Sequence, residues 1–283
     1  MQPPAERQRG VQLPFLAWIT GKDMVKGKRA IRVASWNIWA FSKRDYRGVA
    51  KLISDNKIDI IGIQEATIYY KRFVKDDVVA SYRSTGPKVD MAKRIAQQLG
   101  YDYVFFPSFG RKADYAAGNA IISRFPLYGV KLYKLNKGLT GLGNESRILV
   151  ASKIKVANHV INFLVTHLQA SVRFKPTELR YEQVRKVIAI ANKMKRNIIL
   201  AGDFNSVPAN RELKLLGRKL NRVGDKKSTW PTLPFAYKDW RINGPKYRVD
   251  NIYISKDLSY KRFKLLGSKL SDHFPIEADI IVG

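Results

Sequence analysis

Apolar residues along the chain follow two periods. The runs IRVASWNI, Ile31–Ile38, and IDIIGIQE, Ile58–Glu65, predict strands, the second apolar enough to be buried on both faces. Between them Val49, Leu52 and Ile53 keep helical spacing, so Tyr46–Asn56 predicts a helix. Met91–Leu99 predicts a second helix, closed by Gly100. Tyr101–Phe106, Asn119–Ser123, Val130–Leu135 and Ile148–Val156 predict strands separated by turn residues, and Val160–His167 predicts another. Pro176 then opens a long helix with Val184, Val187, Ile188 and Ala191 on one face. Asn197–Asp203 predicts a further buried strand, Glu212–Leu220 a helix, and Val249–Ser255 and Phe274–Val282 the last strands.

This mixed order predicts an α/β or α+β sandwich with sheets inside and helices outside. The stretch Asn221 to Arg248 has no regular period. It holds Trp230, Phe235, Tyr237, Trp240 and Tyr247 among lysines and arginines, and so long a loop in a compact domain is usually functional or disordered.

Composition narrows the class. With 283 residues, 45% hydrophobic and 11% aromatic, the chain can bury a substantial core and is not a disordered one. It has no cysteine, which excludes a disulfide scaffold and a thiolate zinc site. Only three histidines, His159, His167 and His273, argue against a histidine-rich metal site. No apolar run approaches the roughly 20 residues that span a bilayer. Residues 1–29 read as a basic extension ahead of a domain at 30–283, with an organelle-targeting peptide as the alternative. The expectation is a soluble, intracellular protein, monomeric by default.

Charge points to the partner. Lys and Arg number 52 against 23 Asp and Glu, a net charge of +29, which attracts polyanions. Basic pairs recur at Lys43-Arg44, Lys71-Arg72, Arg111-Lys112, Arg218-Lys219, Lys226-Lys227 and Lys261-Arg262. Aromatics interleave with them at Trp36, Trp39, Phe41 and Tyr46 and again from Trp230 to Tyr247, a combination suited to stacking on bases. Nucleic acid is the favoured partner and an anionic lipid headgroup the alternative.

Polar residues collect around the ends of the apolar strands. Asn37 ends the first and Glu65 the second; Asn119 opens GNAIISR; His167 ends VINFLVTH; Asp203 and Asn205 end IILAGDFN. Asp250 lies in RVDNIYIS, and Asp272-His273 precedes the last strand. Any one of these reads equally well as a cap or turn residue, but sheet-based folds build sites at strand ends, where rigid strands fix side chains that loops leave open. His159, in the NHV turn, receives no role.

The segments SWNIW, IGIQE, GNAIISR, VTHLQ, LAGDFN, RVDNIYIS and SDHFP, in this order from about residue 30 to the C-terminus, resemble the ordered motifs of the endonuclease/exonuclease/phosphatase superfamily, the deoxyribonuclease I-like fold. The resemblance implies one domain: a four-layer α/β sandwich of two packed, mostly antiparallel or mixed sheets flanked by helices. It implies a phosphodiesterase or phosphomonoesterase dependent on a divalent metal, magnesium with manganese as a substitute. By the same resemblance Glu65 is the principal metal ligand, with Asn37 and Asp272 beside it. His273 is the base that activates water, and Asp250 its orienting carboxylate. Asp203 and Asn205 position the water or phosphate, and His167 contacts the phosphate. Asn119 supports the pocket, and Arg147 faces the phosphate or is a plain strand arginine. Trp230 and Trp240 are the candidate substrate-stacking rings.

The His in VTHLQ and the Thr229-Trp230-Pro231 pattern resemble the general phosphodiesterase branches more than the apurinic-endonuclease branch. The disulfide cysteines of secreted deoxyribonucleases are missing. The expected function is a metal-dependent nuclease with DNA favoured; the alternative is a sphingomyelinase-like or phosphoinositide-directed enzyme. A binding module with a dead site fits poorly, since every motif residue of the site is present.

Overall fold

A computed structural model of the protein describes residues 24–25, 28–39, 45–69, 73–76, 81–84, 89–111, 115–140 and 143–283. Most of the basic extension lies outside the described residues, as do Phe41, Lys43, Arg44, Lys71, Arg72 and Lys112.

Two large sheets pack face to face. The first runs in the order Ser259–Leu265, Ile276–Val282, Lys28–Asn37, Ile60–Tyr69, Tyr115–Ser123, Asp102–Arg111. The second runs Asn221–Arg222, Asp250–Ile254, Ile198–Asp203, His159–His167, Gly143–Val156, Leu127–Thr140. Each has one parallel pair at its centre and antiparallel neighbours: Lys28–Asn37 beside Ile60–Tyr69, and His159–His167 beside Ile198–Asp203. A parallel pair needs a long crossover, which the helices Tyr46–Asp55 and Glu178–Met194 supply.

The alternation of the apolar runs explains the layers. Val33 and Ile60, with Ile199 and Ala201 of the other sheet, fill the space between the sheets. Their sequence neighbours Ala34 and Ile61 face outward, under Val49 and Ile53 of the first helix and Met91 and Ile95 of helix Met91–Leu99. On the far side Ile198 and Leu200 meet Val184, Val187 and Leu213. Strands buried on both faces read as continuous apolar runs for this reason. The sheets approach closely at Gly62, where an added Cβ would lie 2.5 Å from Val165.

The predicted elements are present with shifted ends, and the differences have physical causes. The strand containing Glu65 continues to Tyr69 instead of stopping, and Asn119 lies in the middle of Tyr115–Ser123. Pro176 precedes the helix cap, Thr177, whose side chain accepts from the Arg180 amide. His159 begins its strand, paired with Val156, and does not sit in the turn. The strand Ser259–Leu265 has no counterpart in the apolar pattern: it is an edge strand whose exposed Lys261 and Lys264 interrupt the signal, as edge strands do. The stretch Asn221 to Arg248 is ordered. It carries a hairpin, Phe235–Tyr237 with Trp240–Ile242, and a bridge between Trp230 and Tyr247.

Candidate active site

The central strands of both sheets deliver their side chains to one end of the sandwich. His167 and Asp203 stand side by side in register, and Asp250 faces Asp203 across the antiparallel pair. From the other sheet comes Asn37, whose Nδ2 donates to Asp203 Oδ2 and to Glu65 Oε1, each at 3.1 Å. Asn37 Oδ1 accepts from the Trp39 amide at 3.0 Å. This one amide therefore holds a carboxylate of its own sheet, Glu65, and one of the other sheet, Asp203.

Glu65 reaches the site through a bulge. The pairing register shifts between Ile63 and Ala66, and Glu65 takes φ 56°. A bulge redirects a side chain out of the strict in–out alternation, and a left-handed non-glycine residue persists only where its surroundings hold it. Asn119 lies across from this bulge and donates its Nδ2 to Ile148 O at 3.2 Å. Asn205, at φ 47°, donates its amide to Asp203 Oδ1 at 2.8 Å. Its Nδ2 donates to Leu168 O at 3.0 Å and lies 2.9 Å from His167 Nε2.

His273 Nδ1 is 2.9 Å from Asp250 Oδ2, and its Nε2 is 3.8 Å from Asp203 Oδ2 and 4.0 Å from Asp272 Oδ1. The two histidines are driven apart electrostatically. Burial holds His167 well below the usual imidazole range, helped by the positive charges of Arg147 and His273. Burial pulls His273 down too, but Asp250, Asp272 and Asp203 outweigh it and hold the ring well above that range. Asp203 is raised to about 6, by burial first and then by Asp250. A dication bound among these carboxylates would offset their pull on His273.

Residues outside the predicted site frame the dyad, among them Trp36, which is fully buried and so closed to the base stacking expected of it. Thr229 Oγ1 accepts from the amides of Val249 and Asp250 at 3.1 and 3.2 Å. Ser271 Oγ donates to Asn37 O at 2.7 Å and accepts from the His273 amide at 3.1 Å, while Trp36 Nε1 donates to His273 O at 3.0 Å. Thr229, Ser271 and Trp36 sit inside the motifs TWP, SDHFP and SWNIW, and that placement is the signal in the sequence that could have found them. Arg147 is buried at the side of Phe109, its guanidinium 5.9 Å from the ring centroid. Trp230 is buried and donates Nε1–H to Asp272 Oδ2 at 3.0 Å. Trp240 is half-buried against Phe174, Phe235 and Tyr247.

The donor set suits a hard cation: carboxylates, no thiol, and a buried oxygen, Asp250 Oδ1, that accepts no hydrogen bond. One group of donor atoms, from Asp203, Asp250 and His273, lies within 4.8 Å. A cation there would compete with the His273–Asp250 bond; Glu65 is joined to Asp203 through Asn37 Nδ2, and Asp272 Oδ1 lies 4.0 Å from His273 Nε2. Among the described residues no helix is long and apolar enough to cross a membrane.

No curated protein sequence gives a significant match. Solved structures do match. An endonuclease/exonuclease/phosphatase family protein from Bacteroides thetaiotaomicron is 19% identical with TM-score 0.65, covering 90% of this chain and 99% of that one. A mannosyl-6-phosphatase from the same organism is 18% identical with TM-score 0.62, covering 88% and 99%. TDP2 from D. rerio, complexed with a single-strand DNA product, is 16% identical with TM-score 0.63, covering 90% and 99%. The model of the endonuclease/exonuclease/phosphatase family matches residues 34–273, from the first strand to the histidine of the dyad. The chain belongs to the endonuclease/exonuclease/phosphatase family, whose members are divalent-metal-dependent hydrolases of phosphate esters.

Proposed function

We propose that this protein hydrolyses phosphodiester bonds of nucleic acid, DNA in preference, with a divalent cation, magnesium or manganese, held by Glu65 and Asp272. The observation that carries the reading is the Asp250–His273 pair at 2.9 Å. Asp250 accepts from Nδ1–H and so leaves Nε2 to act on a water or a phosphoryl oxygen. Asp203 lies 3.8 Å from that Nε2 and, braced by Asn37 and the Asn205 amide, orients the water between them. His167, held neutral, and Asn205 line the phosphate side. Bound in the site, the cation supplies charge neutralisation for the phosphoryl and leaving oxygens. Nucleic acid is favoured over other esters by the net charge of +29 and by the likeness to TDP2, which was solved with a single-strand DNA product.

The test is turnover with magnesium on single-stranded DNA, duplex DNA, abasic DNA, RNA, bis(p-nitrophenyl) phosphate, p-nitrophenyl phosphate, sphingomyelin and inositol phosphates. Cleavage of the oligonucleotides and the diester is expected. Turnover of monoesters or lipids alone would replace this reading with that of a phosphatase or a lipid phosphodiesterase.

A further inference from the structure

Six large apolar side chains are exposed among the described residues, and four of them belong to loops at the catalytic end: Trp39 at 36%, Val172 at 55%, Leu233 at 37% and Tyr237 at 50%. Hydrogen bonds fix where these loops lie. Trp39 is anchored by its amide to Asn37. Leu233 follows Thr232, whose amide donates to Asp272 O at 2.9 Å and whose Oγ1 donates to Ser271 O at 2.6 Å. Val172 precedes Arg173, which pairs with Asp239 beside the Tyr237 strand at 2.6 Å. Four of the six gathered on one rim mark a contact surface.

Of the aromatics that the sequence suggests for stacking, Trp39 and Tyr237 are presented to solvent, whereas the expected stacking pair, Trp230 and Trp240, is not. Trp230 is buried and Trp240 is half-buried. Tyr237 pairs opposite Trp240 on the hairpin and is half exposed, with Lys238 Nζ 5.7 Å from its ring centroid. The cluster of Phe174, Trp230, Phe235, Trp240 and Tyr247 backs this hairpin with rings 4.7 to 6.3 Å apart.

We propose that Trp39 and Tyr237 stack on unpaired bases flanking the scissile phosphate, so that the enzyme selects single-stranded or frayed nucleic acid over regular duplex. The inference rests on the nuclease reading above and names its substrate class. Two features favour a strand over a bilayer as the occupant. The tip between Tyr237 and Trp240 carries Lys238 and Asp239, the latter 82% exposed, and insertion into lipid would strip water from that ionised tip. Exposed Lys175, Lys238, Arg241 and Lys246 on the same loops suit a phosphate backbone running past the rings. In a duplex the base faces are already stacked and closed to either ring.

The experiment compares wild type with Trp39→Ala, Tyr237→Ala and the double variant on a single-stranded oligonucleotide, its duplex and bis(p-nitrophenyl) phosphate. Trp39→Phe and Tyr237→Phe serve as ring-preserving controls. The ratio of kcat/KM on the single strand to that on the small diester should fall about tenfold per ring removed. The Phe variants should keep most of that ratio, and duplex cleavage should begin low and change little. Wild type cleaving both forms equally, or variants losing all three activities alike, would overturn the stacking inference and leave the nuclease reading standing. Wild type hydrolysing the small diester but no oligonucleotide would overturn the nuclease reading itself. Binding of phosphatidylcholine–phosphatidylserine vesicles that depends on Trp39 and Tyr237 would assign the rim to lipid and overturn the proposal.

Discussion

The Trp230 indole donates Nε1–H to Asp272 Oδ2 at 3.0 Å, so a buried ring of the aromatic cluster holds a carboxylate of the candidate metal site. A hydrogen bond to a charged acceptor is worth about 1.5–3 kcal/mol. Trp230→Phe keeps a ring against Phe174 and Phe235 but frees Asp272 to turn. The expected result is a metal activation curve displaced to higher magnesium by about tenfold, read by titrating the metal in a diester assay.

Glu65 is the second carboxylate of that site, held by Asn37 and by its bulge. Glu65→Gln preserves shape and an acceptor oxygen while removing a charge. Activity should drop by orders of magnitude with the thermal melt little changed, and excess chelator should abolish wild-type turnover. Full activity in chelator would exclude the proposed metal dependence.

His273 and Asp250 should behave as a unit. His273→Ala should lower kcat by about 10²–10⁴-fold, and Asp250→Asn somewhat less. The double variant should lose little beyond His273→Ala, because once the ring is gone its orienting carboxylate has nothing to orient. Losses that multiply in steady-state kinetics would separate the two residues.

Arg180 and Glu212 are both fully buried and joined at 2.8 Å. Arg180 also donates to the carbonyls of Gln169 and Lys175, and Glu212 accepts from Ser206, so the pair clasps the loops that follow His167 and Asp203. Arg180→Met leaves an unpaired buried carboxylate and should cost about 3–5 kcal/mol in urea unfolding. The Arg180→Met, Glu212→Leu double variant should regain a large part of that loss.

Acid sensitivity should reside partly in Asp279. Burial alone would raise its carboxyl, but Arg262 and Arg32, at 2.9 and 2.8 Å, outweigh burial and hold it below the usual carboxylate range. A carboxyl with a depressed folded value stabilises the fold above its unfolded value, and the contribution is lost as pH falls through the folded one. The stability difference between wild type and Asp279→Asn should therefore be constant near neutrality and shrink below about pH 4. Urea midpoints measured across that range would show it.

The strands and helices of the core were legible because their burial is written in period: Ile60, Ile61 and Ile63 are apolar on both faces of a strand covered on both faces. The resemblance of the ordered motifs pointed to His167, Asp203, Asp250 and His273, and the register of the central strands brings these four together at one end of the sandwich. Strand ends were not legible at Glu65 or Asn119, since a bulge is a relation between two strands and leaves no mark in either one alone. Nor was the edge strand Ser259–Leu265, whose pairing with Ile276–Val282 replaces the apolar signal that its lysines remove. The aromatic stretch shows the division most clearly. Composition announced the rings, but only packing decided that Trp230 turns inward to Asp272 while Tyr237 faces water, because each ring has an apolar body and a polar tip and the choice depends on which neighbours close around it.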